Sequence, residues 1–119
     1  MNQNNIFVYG TLMQGQRAHH LMAGAQYIGK GQLRDFAMYH LGRYPGIIPC
    51  PGEVTFGEVY SVSDEMISQM DGYEREGDLY LRKTVTIQLE DRTVQSQVYV
   101  YNRDVTGCRL LRQIWNDDL

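Results

Sequence analysis

Thr84-Val85-Thr86-Ile87-Gln88-Leu89 and Val94-Gln95-Ser96-Gln97-Val98-Tyr99-Val100 stand on either side of Asp91-Arg92. In the first run Val85, Ile87 and Leu89 alternate with Thr84, Thr86 and Gln88. In the second, Val94, Val98 and Val100 alternate with Gln95, Gln97 and Tyr99. A period of two with β-branched residues on one face predicts two half-buried strands, and the polar pair between them predicts a hairpin turn. Working outward, Glu53 to Val62 alternates as a strand, and Leu33 to Leu41 and Tyr27-Ile28 read as strands broken at Gly29-Lys30-Gly31. Ile6-Phe7-Val8-Tyr9, stopped by Gly10-Thr11-Leu12, reads as a buried first strand.

Helical signals are fewer. Ser63 stands as an N-cap before Asp64 and Glu65, which complement the helix dipole. Met66, Ile67, Met70 and Tyr73 follow on one face, with Gly72 and Gly77 where the helix should fray. Arg17 to Ala23 predicts a short helix ended by Gly24, and Cys108 to Trp115 a last one. Gly42 to Gly52 holds all three prolines and three of the twelve glycines, which predicts an ordered loop. Strands outnumber helices and do not alternate with them, which disfavours a doubly wound parallel sheet. The expected architecture is one α+β domain over residues 1–119: a small barrel-like mixed β-sheet flanked by short helices. Curling removes the exposed edges of many short strands.

Composition narrows the function. The chain has 119 residues, 43% of them hydrophobic and 21% charged, a formal charge of −3 and a pI near 5.5. Such a balance argues against nucleic acid as the partner. With mean hydropathy −0.42 and no apolar run of about 20 residues, no membrane span is expected. Met1-Asn2-Gln3-Asn4-Asn5 has neither the basic nor the apolar part of a signal peptide, so a cytoplasmic location is expected. Cys50 and Cys108 read as free thiols, and His19, His20 and His40 show no metal-ligand spacing, so no metal is expected. Nine tyrosines suit strands that need a ring inside and a hydroxyl at the edge.

Standard nucleophile motifs are missing. There is no Gly-x-Ser-x-Gly elbow, phosphate-binding loop or His-Glu-x-x-His pair. Two places remain. Tyr9-Gly10-Thr11-Leu12 ends a strand in a turn whose N–H groups would lack ladder partners and could hold an anion, or be a plain turn. Asp71-Gly72-Tyr73-Glu74-Arg75-Glu76 puts carboxylates at the unfavourable end of a helix dipole. Partial burial of Glu74 would raise its pKa and suit it to proton transfer; paired with Arg75 or Arg82 in solvent it would be ordinary surface.

Taken together, the segments resemble a known family. Phe7-Val8-Tyr9-Gly10-Thr11-Leu12 is similar to the Y-G-[ST]-L signature of the gamma-glutamylcyclotransferase-like family, the group that includes gamma-glutamylamine cyclotransferases and plant avirulence-induced-gene proteins. Phe56-Gly57-Glu58-Val59-Tyr60 resembles its G-x-[VL]-[YF] strand, Met70-Asp71-Gly72-Tyr73-Glu74 its L-D-x-x-E segment, and Tyr80-Leu81-Arg82 its Y-x-R. Tyr99-Val100-Tyr101 resembles its late strand. The order holds from about Ile6 to Arg103. Met70 replaces the usual leucine, and Arg75 to Leu79 departs from the better-known branches.

The resemblance implies a barrel with a cavity at its mouth and an intramolecular reaction needing no cofactor. The α-amine of a γ-glutamyl group attacks its own γ-carbonyl and releases 5-oxoproline and an amine or amino acid. It implies Glu74 as the proton-transfer group, the Tyr9-Gly10-Thr11-Leu12 turn as the binding site for substrate carboxylate or oxyanion, Tyr80 as a cavity-lining hydroxyl, and Arg82 as a support. The implied partner is a small γ-glutamyl compound, with no particular oligomeric state indicated. Two other readings keep the fold: removal of a γ-glutamyl protecting group in a biosynthetic pathway, and non-catalytic binding of a small acidic metabolite.

Overall fold

A computed structural model describes residues 3–119. Six strands and one α-helix follow in the order β1 (Gln3–Val8), β2 (Gln26–His40), β3 (Pro45–Ser63), α1 (Asp64–Glu74), β4 (Tyr80–Gln88), β5 (Thr93–Tyr101) and β6 (Arg109–Leu111), with a 3₁₀ turn at His19–Met22 before β2. The strands lie in the order β3-β1-β5-β4-β2, and β2 returns to pair with β3. The result is a closed five-stranded mixed barrel, as expected from the many short strands. β1 and β5 run parallel, the other junctions antiparallel. β6 adds to the far end of β2, beside Met38 to His40.

The hairpin read first holds along its whole length. β4 and β5 pair from Tyr80 with Tyr101 to Gln88 with Thr93, and the Leu89 N–H donates to the Arg92 carbonyl at 2.7 Å to close the turn. Ile87, Val98 and Val100 are buried. The Ser63 hydroxyl accepts the Met66 N–H at 3.2 Å, capping α1 as expected. Ile67 and Met70 are buried, whereas Tyr73 turns to the surface. The helix runs through Gly72 and ends at Arg75, whose φ of 54° is left-handed.

Four expectations are corrected. The Gly42 to Gly52 segment is no loop: from Pro45 onward it is β3, joined to β2 by a tight turn in which the Leu41 N–H donates to the Tyr44 carbonyl at 3.0 Å. Its prolines sit where a ladder tolerates a missing donor. Pro45 opens the strand, and Pro49 and Pro51 flank an irregularity opposite Asp35, whose φ is 67° and whose carboxylate accepts the Gly52 N–H at 2.9 Å. Gly29 and Gly31 do not break β2, which passes them with one register shift. Gly31 gives β2 room against β4, since a Cβ there would lie 2.5 Å from Ile87. Residues 17–23 hold a 3₁₀ turn rather than an α-helix. Cys108 to Trp115 holds β6, because the open edge of β2 offers ladder partners to Arg109–Leu111 and Trp115 is buried beyond it. Among the described residues no helix is long and apolar enough to cross a membrane.

Gly57 lies where β3 crosses the end of β1, and a Cβ there would stand 2.3 Å from the Val8 carbonyl and 2.8 Å from the Phe7 ring. Gly72, in α1, faces open space. Gly57→Ala should therefore destabilise the fold by about 2 kcal/mol through overpacking. Gly72→Ala should stabilise it by about 0.5–1 kcal/mol through chain entropy and helix propensity. Urea unfolding of both variants checks the contrast.

Candidate active site

β1 stops at Val8, and the chain leaves the barrel through Tyr9 to Leu12. The buried Tyr9 hydroxyl donates to the Tyr99 carbonyl at 2.6 Å, tying the exit to β5. Gly10 lies under Pro45, where a Cβ would come within 2.8 Å of the ring, so only glycine lets the turn approach β3 this closely. The turn's carbonyls are engaged: Gly10 accepts the Met13 N–H at 3.1 Å and Thr11 the Ala18 N–H at 2.9 Å. Among the described residues, the N–H groups of Gly10, Thr11 and Leu12 have no protein acceptor. Unpartnered donors on consecutive residues suit an anion or a developing oxyanion.

The turn is braced from behind. The Glu58 carboxylate accepts the Gln14 N–H at 3.0 Å and the Tyr60 hydroxyl at 2.9 Å. Asp117 accepts the Arg17 N–H at 2.5 Å and gives its own N–H to Gln16 at 2.7 Å. Sequence reading missed both braces, because they join residues more than 40 positions apart.

Glu74 is the last residue of α1. The residue as a whole is half-buried, while its carboxyl is enclosed by protein. No hydrogen bond reaches it among the described residues. Burial pushes its pKa up to about 7. Tyr9, Tyr80 and Tyr99 face the same space. Burial holds their phenols above the usual range; the Glu74 charge adds to it in all three, after the Asp71 hydrogen bond for Tyr99 and after Tyr9 for Tyr80, so all three stay protonated. The charged alternative in the sequence, Glu74 paired with Arg75 or Arg82, does not occur: Arg75 binds Asp78 at 2.6 Å and Arg82 binds Asp71 at 3.0 Å.

Between Glu74 and the turn lies a cavity of about 270 Å³. That volume suits a compact metabolite rather than a large ligand. Tyr9 to Leu12 form one side, Tyr73 and Glu74 another, and Tyr80 and Tyr99 line the wall. Tyr44 and Pro45 close it from the turn before β3. The Thr11 hydroxyl and the Tyr73 hydroxyl are 3.1 Å apart, joining the two sides at the mouth. The structure thus brings Tyr9, Gly10, Thr11, Leu12, Glu74 and Tyr80 to one cavity. The Tyr80 ring lines it, while its hydroxyl donates to the Pro45 carbonyl at 2.8 Å and leaves only lone pairs for a ligand. Tyr44 and Tyr99 are lining residues that sequence reading did not single out. Among the described residues no cluster of three or more histidine, cysteine or carboxylate side chains could hold a metal.

Known proteins share this sequence and shape. Residues 6–117 match the family described as "Gamma-glutamyl cyclotransferase, AIG2-like". The chain is 34% identical over 106 residues to the gamma-glutamylcyclotransferase family protein YtfP of Escherichia coli, covering 89% of each. It is 28% identical over 109 residues to gamma-glutamylaminecyclotransferase A of Danio rerio, covering 82% of this chain and 68% of that one. The crystal structure of an AIG2-like protein from Mus musculus superposes with a TM-score of 0.84 at 26% identity, covering 94% of this chain and 88% of the other. The extent of that match, and the cavity its motifs enclose, show that the chain belongs to the gamma-glutamyl cyclotransferase, AIG2-like family.

Proposed function

We propose that the protein is a γ-glutamyl cyclotransferase, converting a small γ-glutamyl compound into 5-oxoproline and a free amine or amino acid. The observation that carries this reading is an enclosed carboxyl with a pKa near 7 across a small cavity from three unpartnered amide donors. The nucleophile is the substrate's own α-nitrogen, consistent with a cavity lined, among the described residues, by no serine or cysteine.

An ammonium has no lone pair, so the Glu74 carboxylate first takes a proton from it. The freed nitrogen attacks the γ-carbonyl carbon, the C–N bond of the ring forms, and the carbonyl oxygen becomes an oxyanion. The Gly10–Leu12 amides stabilise that charge or hold the α-carboxylate, and being preorganised they need no rearrangement as it develops. Collapse breaks the bond to the departing nitrogen, which receives its proton from Glu74. Two protons leave the glutamyl nitrogen in all, and two arrive on the leaving amine through the carboxyl and water. Folding the glutamyl chain until nitrogen and carbonyl meet is an entropic demand that a snug cavity meets in advance. The protonated tyrosines Tyr9, Tyr80 and Tyr99 keep the surroundings polar without adding charge.

Incubation with γ-glutamyl dipeptides and γ-glutamyl-ε-lysine should yield 5-oxoproline, detected by mass spectrometry. Folded protein that binds these compounds without forming product would favour the metabolite-binding alternative. Because the base must be deprotonated, kcat/KM should rise with pH through about 7. Glu74→Gln should lower turnover roughly a hundredfold to ten-thousandfold. The same substitution should stabilise the fold. The folded pKa lies above the ordinary 4.5, so the protonated carboxyl favours folding; that benefit is full below 4.5 and is lost as pH rises through about 7. Glu74→Gln should therefore melt higher than the parent at pH 8, by about 1–3 kcal/mol of stability, and like it near pH 4. Calorimetry at the two pH values decides this.

A further inference from the structure

One turn before Glu74, the Asp71 carboxylate meets three donors. Arg82 reaches it with Nε at 3.0 Å and Nη2 at 3.1 Å, a two-pronged pair, and the Tyr99 hydroxyl donates to it at 2.7 Å. The remaining prong of Arg82 donates to Gln97 at 2.6 Å. Asp71 belongs to α1, Arg82 to β4, and Tyr99 and Gln97 to β5. Tyr99 in turn accepts the Tyr9 hydroxyl on its backbone carbonyl. Three elements that frame the cavity are thus fastened at one carboxylate, and the chain leaving β1 is tied to β5 through Tyr9. An acid near the C-terminal end of a helix opposes the dipole, and here Arg82 and Tyr99 from the sheet satisfy it.

Resting on the reading just proposed, we infer that Asp71 and Arg82 are positioning residues for Glu74. The pair pins the end of α1 against β4 and β5 and cancels its own charge, leaving the dry cavity to set the glutamate's proton affinity. An aspartate three residues away on a helix is a surface neighbour of a second carboxylate and repels it if left unpaired. An unpaired Arg82 would attract it. Paired, neither charge is among the causes of the raised Glu74 value; the cause is burial alone. The other groups facing Glu74 bring little charge. Tyr9 just past β1, Tyr80 from β4 and Tyr99 from β5 are phenols that burial keeps protonated, and Tyr44 from the β2–β3 turn and Tyr73 on α1 add their rings to the lining. Arg75 is bound to Asp78, which also binds Arg103.

The test is the titration of Glu74 itself, followed by carboxyl carbon NMR on the full chain, beside the pH dependence of kcat/KM. Asp71→Asn keeps an oxygen for Tyr99 and removes the charge. Its Glu74 midpoint should fall by roughly half a unit or more. Arg82→Gln should raise the midpoint by a similar amount, and the double variant should return it to the parent value. Arg82→Lys keeps the charge and loses the two-pronged geometry; its midpoint should stay while kcat falls. Should Arg82→Gln fail to fold, Asp71→Asn and Arg82→Lys still decide. Midpoints that stay put in Asp71→Asn, or that move the same way in both charge-removing variants, overturn the inference. The NMR midpoints stand without turnover, so opposite shifts in a protein that makes no 5-oxoproline would sink the proposed reaction and leave the charge-cancelling role intact.

Discussion

The parallel junction between β1 and β5 governs where everything else sits. Parallel neighbours send their C-terminal ends to the same rim, so the exit at Tyr9 and the Tyr99–Tyr101 end of β5 lie together. β4 runs antiparallel to β5 and therefore begins at that rim, with Tyr80 opposite Tyr101. α1 feeds β4, which brings the end of the helix, and Glu74 with it, to the same opening. A parallel pair cannot be closed by a tight turn; the intervening chain must travel around the ring, and here it supplies β2, β3, α1 and β4 on the way. Because β1 ends at Val8, the amides after it are left without ladder partners.

The electrostatics of the rim follow from what the barrel encloses. A carboxyl among rings cannot be solvated as in water, and its charged form is penalised. Tyrosine is the side chain that tolerates this neighbour, because its own ionisation is suppressed by the same dryness and its retained proton ties it to a protein acceptor. The nine tyrosines thus gain a specific meaning for three of them: Tyr9, Tyr80 and Tyr99 build a wall that is apolar in bulk and polar at its points.

Much of this was legible from residue order. Alternation over Thr84 to Val100 revealed the β4–β5 hairpin, and Ser63 with its acidic followers marked the start of α1, because both signals are local. Glu74 and Gly10–Leu12 stood out because carboxylates at a helix end oppose the dipole and a strand stopped by glycine leaves amides without ladder partners, and the family resemblance joined the two. What stayed hidden was non-local. Pro45, Pro49 and Pro51 read as a loop because their tolerance in β3 depends on the bulge at Asp35 on another strand. Arg109–Leu111 became a strand because β2 had an open edge to offer. The attachment of Asp71 to Tyr99 and the brace of Glu58 on Gln14 depend on register, which no window of sequence contains.

The ring closes between β2 and β4 through one residue pair, Gln32 with Gln88, whereas β4 and β5 share nine. This slender seam lies at the far end of β4 from Tyr80, roughly 25 Å along the strand at the usual rise per residue. The ladder is thinnest there, while the opposite end of β4 reaches the cavity. One strand thus joins the weakest ladder contact of the ring at one end to the cavity wall at the other.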